Sequence, residues 1–138
     1  MPGAPPELIE RIPLFSALQS RELRAVAEAL RDRVFAPGEV VVQEGTEGLG
    51  FFVIGSGTAR VEVQGREVRR LGPGDYFGEI ALIAASPRTA TITAETEIRC
   101  YGMAVWDFRA IVEGNASIAW TLLQTLAKQL AAPAEPPG

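Results

Sequence analysis

At 138 residues the chain has the size of one domain, long enough to bury roughly two thirds of the surface its unfolded form exposes. Its 13 Lys and Arg stand against 17 Asp and Glu, giving a net charge of −4 and a pI near 4.9, which argues against the concentrated basic face that nucleic acid requires. Histidine is absent and cysteine occurs once, at Cys100, so a disulfide framework, a His- or Cys-ligated metal and Ser-His or Cys-His catalysis are excluded within one chain.

Residues 1–6 (MPGAPP) read as a flexible, Pro-rich lead-in, and Leu8 to Arg11 as a single turn before Pro13. Neither this start nor any later apolar run has the form of a signal peptide or of the ~20-residue membrane span, so no membrane insertion and a cytoplasmic location are expected. Ser20 is the predicted N-cap of an amphipathic helix over Arg21–Arg31. There Leu23, Val26, Ala27 and Leu30 form one face, while Arg21, Arg24 and Arg31 lie beside Glu22 and Glu28 on a solvated one.

From Arg33 the texture changes to short apolar stretches broken by glycine, ten of the fourteen glycines falling between Gly38 and Gly78. Predicted strands are Arg33–Ala36, Val40–Gln43, Phe51–Ile54, Ala59–Gln64, Val68–Leu71, Asp75–Phe77, Ala90–Ala94 and Ile98–Met103. In Ala59–Gln64 apolar and polar residues alternate, as in a half-buried strand, whereas Phe51–Ile54 is continuously apolar, as in a strand covered on both faces. The pattern predicts an α+β, mainly β fold: an eight-stranded antiparallel roll of jelly-roll type with helices at both ends.

The roll is interrupted between Gly72 and Ala94, where Gly78 to Ala90 carries only two charged side chains, Glu79 and Arg88. Lone charges in a burial-prone segment require partners, so these two either neutralise each other or share a polar ligand. Gly78 permits a sharp turn, and Glu79–Ala85 reads as a short helix whose first amides, those of Ile80 and Ala81, form a cradle for an anion. Arg88, on a loop after Pro87, can fold back over the same cradle. An Arg fork with free amides suits a phosphate, and a carboxylate beside it suits a sugar hydroxyl.

The run Phe77-Gly78-Glu79-Ile80-Ala81-Leu82-Ile83, followed by Pro87-Arg88-Thr89-Ala90-Thr91 and preceded by Gly72, Gly74 and Asp75, resembles the phosphate-binding cassette of cyclic nucleotide-binding domains. Such domains occur in protein kinase A regulatory subunits, catabolite-activator-type regulators and cyclic-nucleotide-gated channels. The resemblance extends more loosely over residues 8–130. It implies domain bounds of 7–131, comprising N-terminal helices 7–31, a β-roll 32–103 with its cassette at 78–90, and C-terminal lid helices 104–131.

The resemblance also implies a non-enzymatic sensor of a cyclic nucleotide, cAMP before cGMP, with no metal. Arg88 and the amides of Ile80, Ala81 and Ala90 would take the cyclic phosphate, Glu79 the ribose hydroxyl, and Thr89 the phosphate or base. Val61, Val63 and Leu71 read first as ordinary core and second as the wall beside the purine.

After the roll, Val105, Phe108, Ile111 and Val112 form one helical stripe stopped at Gly114, and Asn115 or Ser117 caps a last helix to about Ala131. On it Ile118, Ala119, Leu122, Leu123, Leu126 and Leu130 fill an arc of roughly 140°, wider than the ~100° stripe of an ordinary surface helix, so it covers more than one thing. Family members draw the residue that caps the base from this helix; Trp120, Thr125, Gln129 and Leu130 are the candidates, with packing or a homodimer contact as the plainer account. The Pro-rich 132–138 is a tail or the start of a linker to an effector protein or domain.

A DNA-binding regulator would need a helix-turn-helix after the last helix, so DNA binding by these 138 residues is not expected, and a jelly-roll metalloenzyme would need the missing histidines. The remaining alternative is a domain of the same fold that has lost its ligand and serves as an interaction module.

Overall fold

Glycine-broken alternation between Arg31 and Ala104 resolves into two four-stranded sheets in the computed structural model, which describes residues 3–47, 50–78, 82–84 and 87–131. The strands are β1 (Arg31–Phe35), β2 (Val40–Val42), β3 (Gly50–Ser56), β4 (Ala59–Val63), β5 (Arg66–Leu71), β6 (Tyr76–Phe77), β7 (Thr91–Ala94) and β8 (Ile98–Ala104). One sheet has the order β1-β8-β3-β6 and the other β2-β7-β4-β5, with every pairing antiparallel. The expected mainly β roll of eight strands flanked by helices is therefore what the chain forms. Gln64 and Gly65, with φ of 52° and 80°, make the two-residue turn that joins β4 to β5, the positive φ pair matching the right-handed twist of a hairpin.

β3 shows how the sequence divides the core. Its Ile54 faces the space between the sheets, where it packs with Phe35, Ala59, Val61, Leu71, Ile92, Ala94, Ile98 and Cys100. Its Phe51 and Val53 face the other way, into a cluster built by the helices. The strand is buried on both sides, as its unbroken apolar run requires. β4 has the alternation expected of a strand with one wet face: Ala59 and Val61 are buried while Arg60, Glu62 and Val63 are half-buried.

The helices cover the outer face of the first sheet. They are α1 (Pro6–Glu10), a 3-10 turn at Pro13–Phe15, α2 (Ser20–Ala29), α3 (Val105–Gly114) and α4 (Ala116–Ala131). Phe15 makes edge-to-face contacts with Phe51 of β3 and Phe108 of α3, with centroids 5.9 and 6.2 Å apart, each such pair contributing about 0.5–1.5 kcal/mol beyond area burial.

Four details depart from expectation. α2 begins at Ser20, so Gln19 and not Ser20 is the N-cap residue, and the Glu22 carboxylate reaches back to accept from the Gln19 N–H at 2.9 Å. It ends at Ala29, so Arg31 opens β1 instead of closing the helix. The lead-in is held where the structure describes it: Gly3 and Ala4 donate to the carbonyls of Leu30 and Ala27 at 2.8 and 2.9 Å. Asn115 turns its side-chain amide back to the Ile111 carbonyl, 2.8 Å away, and serves α4 through its own carbonyl, which accepts from Ile118 and Ala119. The predicted Glu79–Ala85 helix and the 132–138 tail fall outside or only partly within the described residues.

Candidate functional site

Gly78 and Arg88 arrive at one place from opposite sides of the undescribed cassette residues. On the Gly78 side, the G-x-G-D sequence forms a closed turn: the Asp75 carboxylate accepts from the Gly72 N–H at 2.7 Å, and the Asp75 N–H donates to the Gly72 carbonyl at 3.0 Å. The turn is pinned to β3, since Ile54 donates to the Asp75 carbonyl and Gly74 donates to that of Ile54, both at 2.8 Å. β6 then pairs with β3 through Phe52–Phe77 and Val53–Tyr76, which delivers Gly78 to the start of β3. Its φ of +85° and the absence of a Cβ are both used, because a Cβ there would collide with the Gly50 carbonyl and stand 2.6 Å from Arg88 Nη1.

On the other side, Pro87 and Arg88 are held by residues 43–47. The Arg88 N–H donates to Thr46 at 2.7 Å, its carbonyl accepts from Gly45 at 2.9 Å, and Glu47 bridges Pro87. Thr91 fixes the same loop by accepting from the Glu44 N–H at 3.0 Å. With its backbone anchored, the Arg88 side chain extends to β3, where Nη2 donates to the Gly50 carbonyl at 2.6 Å. No carboxylate forms an ion pair with Arg88 among the described residues. Burial holds its guanidinium below the usual arginine value, although an arginine remains a cation throughout the ordinary pH range. Among the described residues this half-buried cation rests on one neutral side-chain acceptor, which leaves donors for something anionic.

The other expected residues divide by what the structure describes. Glu79, Ile80 and Ala81 lie outside the described residues. Thr89 is exposed, and Ala90 packs against the inter-sheet cluster that contains Val61 and Leu71. Those two are 5% and 3% exposed, which makes them core first, as the alternation suggested; Val63 is half-buried. Gly50 was not singled out from the sequence, because its contribution is a main-chain oxygen brought near by pairing across 38 residues.

Beyond the site, α3 and α4 face Leu82 across a hollow of about 550 Å3, walled by Phe108, Val112, Leu122, Leu123 and Leu126. Ile118 and Leu122 are buried, while Trp120, Leu123 and Leu130 are 63%, 58% and 89% exposed, so the wide apolar arc of α4 is only partly covered. Among the described residues, no cluster of His, Cys, Asp and Glu has a metal-binding arrangement, and no helix is long and apolar enough to cross a membrane.

Comparisons with known proteins place the chain in a family. Residues 32–115 match the family described as the cyclic nucleotide-binding domain. A cyclic nucleotide-gated potassium channel of Rhizobium etli is 34% identical over 127 residues, covering 92% of this chain and 36% of the channel. The chain thus spans about a third of that relative's length. Among solved structures, the N-terminal domain of a transcriptional regulator from Streptomyces coelicolor superimposes with a TM-score of 0.82 at 28% identity, covering 89% of this chain and 90% of that one. The regulatory domain of Toxoplasma gondii protein kinase A, crystallised with cAMP, gives 0.70 at 28%, covering 77% and 42%.

Proposed function

The chain belongs to the cyclic nucleotide-binding domain family, and from that premise we propose that it is a non-catalytic receptor for a 3′,5′-cyclic nucleotide, cAMP in preference to cGMP. The observation that carries the proposal is the half-buried Arg88 guanidinium, anchored through its backbone and lacking a carboxylate partner among the described residues, beside a glycine that clears space for it. The likeness to a domain crystallised with cAMP supports the choice of ligand.

In this proposal the singly charged phosphate replaces the Gly50 carbonyl as the partner of Arg88, with the amides of Ile80, Ala81 and Ala90 and the backbone at Gly78 around it. Glu79 accepts from the ribose hydroxyl, and Thr89 touches phosphate or base. Val61, Val63 and Leu71 form the apolar wall, and residues 7–131 are the binding unit. Ligand drawn toward Arg88 shifts the segment at Leu82, which faces α3 and α4 across the hollow, and the helices close as a lid. The response cannot exceed the difference in ligand affinity between the two helix arrangements.

An effector protein or domain reads that movement, and the uncovered α4 face with Trp120 and Leu123 is a candidate homodimer contact. Titration calorimetry with cAMP and with cGMP tests the proposal. Saturable binding supports it, and the ratio of the two constants gives the base preference. Absence of heat and of thermal stabilisation with both ligands favours the ligand-free interaction module instead.

A further inference from the structure

The first sheet carries a second cleft whose chemistry the cyclic-nucleotide proposal leaves unused. Cross-strand register places Arg31 of β1, Gly102 of β8 and Phe52 of β3 in one row, on the face that carries Phe35, Cys100 and Ile54 into the inter-sheet core further along. At this row the face is open, and a hollow of about 380 Å3 forms between the strands and the first turn of α3. The hollow exists because its floor is small: Gly50, Gly102 and Ala104. A Cβ on Gly102 would stand 2.8 Å from the Phe52 ring, so a larger residue there would displace the aromatic that lines the site.

The walls are polarised. Arg31 and Arg33 stand on one side, Trp106 and Asp107 on the other. Arg60, Arg70 and Arg109 each have a carboxylate partner, but among the described residues neither Arg31 nor Arg33 has one, and Asp107 is in no ion pair. The Arg33 guanidinium lies 5.3 and 5.9 Å from the ring centroids of Phe35 and Phe52, which holds it in place without neutralising it. Charged residues on an edge strand, and an acid in the first turn of a helix, are ordinary devices and account for the charges one by one. They do not account for a hollow with two unneutralised guanidinium groups, an aromatic ring in its lining and a Trp left 61% exposed at its rim.

We infer that this cleft binds a small anion carried on a flat ring, the chemistry shared by aryl carboxylates and aryl or nucleoside phosphates. The anion sits between Arg31 and Arg33, which offer bidentate donors, and the ring lies against Phe52 and Trp106. Asp107 selects ligands that also bear a donor, such as a hydroxyl or amine. The volume lies at the small end of ligand pockets, which suits a single ring.

Titration calorimetry with phenyl phosphate and with benzoate, each in the presence and absence of saturating cAMP, tests the inference. Saturable binding of at least one probe, unaffected by cAMP and weakened at least tenfold in Arg31→Met/Arg33→Met, is the expected result, and the stronger probe identifies the anion. The single variant Arg31→Met, at an exposed position, serves if the double variant does not fold. No saturable binding, equal affinity in the variants, or equal binding of inorganic phosphate overturns it. Arg88 does not line this cleft although Gly50, whose carbonyl it holds, does, so Arg88→Leu should weaken cAMP binding without abolishing this titration, and Arg31→Met/Arg33→Met should do the reverse, which keeps failure here and failure of the cyclic-nucleotide proposal separable.

Discussion

Arg88 donates to the Gly50 carbonyl at 2.6 Å, so the one charged arm of the cassette that the structure describes is held against the first residue of β3. A neutral carbonyl is a weak substitute for an anion, and a phosphate offers the same donors a charged acceptor. Arg88→Leu should keep the fold, since the backbone contacts to Gly45 and Thr46 remain, but weaken cAMP binding by about 2–5 kcal/mol in calorimetry. Unchanged affinity in a folded variant would remove Arg88 from the site.

Gly78→Ala tests the other half of the same contact. The variant must hold a positive φ, at a cost of roughly 1–2 kcal/mol, and its methyl meets the Gly50 carbonyl and the Arg88 guanidinium. Both a lower urea midpoint and weaker cAMP binding are expected. A variant as stable as the parent, with parental affinity, would show that the close approach is not needed.

Glu22, only 7% exposed, has its carboxyl held below the usual range first by the Ser117 hydroxyl at the start of α4 and then by the Gln19 N–H. A carboxyl with a depressed native pKa stabilises the fold fully above its unfolded value, near 4.5, and that contribution is lost as pH falls through the native value. Glu22→Gln should therefore lose about 1 kcal/mol at pH 7 and show a shallower decline of stability below pH 5 in denaturant titrations. Parallel pH profiles for the two proteins would contradict this.

Cys100, 3% exposed between the sheets, has its thiol pushed up to about 11, chiefly by burial. In the unfolded chain it titrates near 9, so the native state holds its proton more tightly and stability falls as pH rises from 9 to 11, on the order of 1 kcal/mol per pH unit. Cys100→Ala should remove that part of the alkaline decline, whatever its cavity costs at pH 7. Native protein should also react with a thiol reagent only at the rate of unfolding. Rapid modification at pH 8 would rule out the buried thiol.

The sequence made local periodicity legible and long-range acceptors illegible. The alternation of β4, the continuous apolar run in β3 and the stripe of α3 each correspond to an observed element, because each reports how many faces a segment buries. Cap details failed where a competing side chain won: Gln19 and Glu22 closed α2 ahead of the predicted Ser20. Gly78 and Arg88 were recognised by residue type, but the Gly50 carbonyl and the grip of residues 45–46 are main-chain groups that carry no residue signature. The Arg31–Arg33 cleft was likewise hidden, since Arg31 read as the end of a helix and only strand register sets it beside Gly102 and Phe52.

β3 is the party wall between two apolar clusters, with Phe51 and Val53 on one side and Ile54 on the other. Its amides lie in the plane of the sheet, paired to β8 and β6, and they exchange only when those ladders part, which the clusters on both faces oppose. They should be the slowest to exchange in the molecule, while β5, a sheet edge exposed from Arg66 to Arg70, labels early.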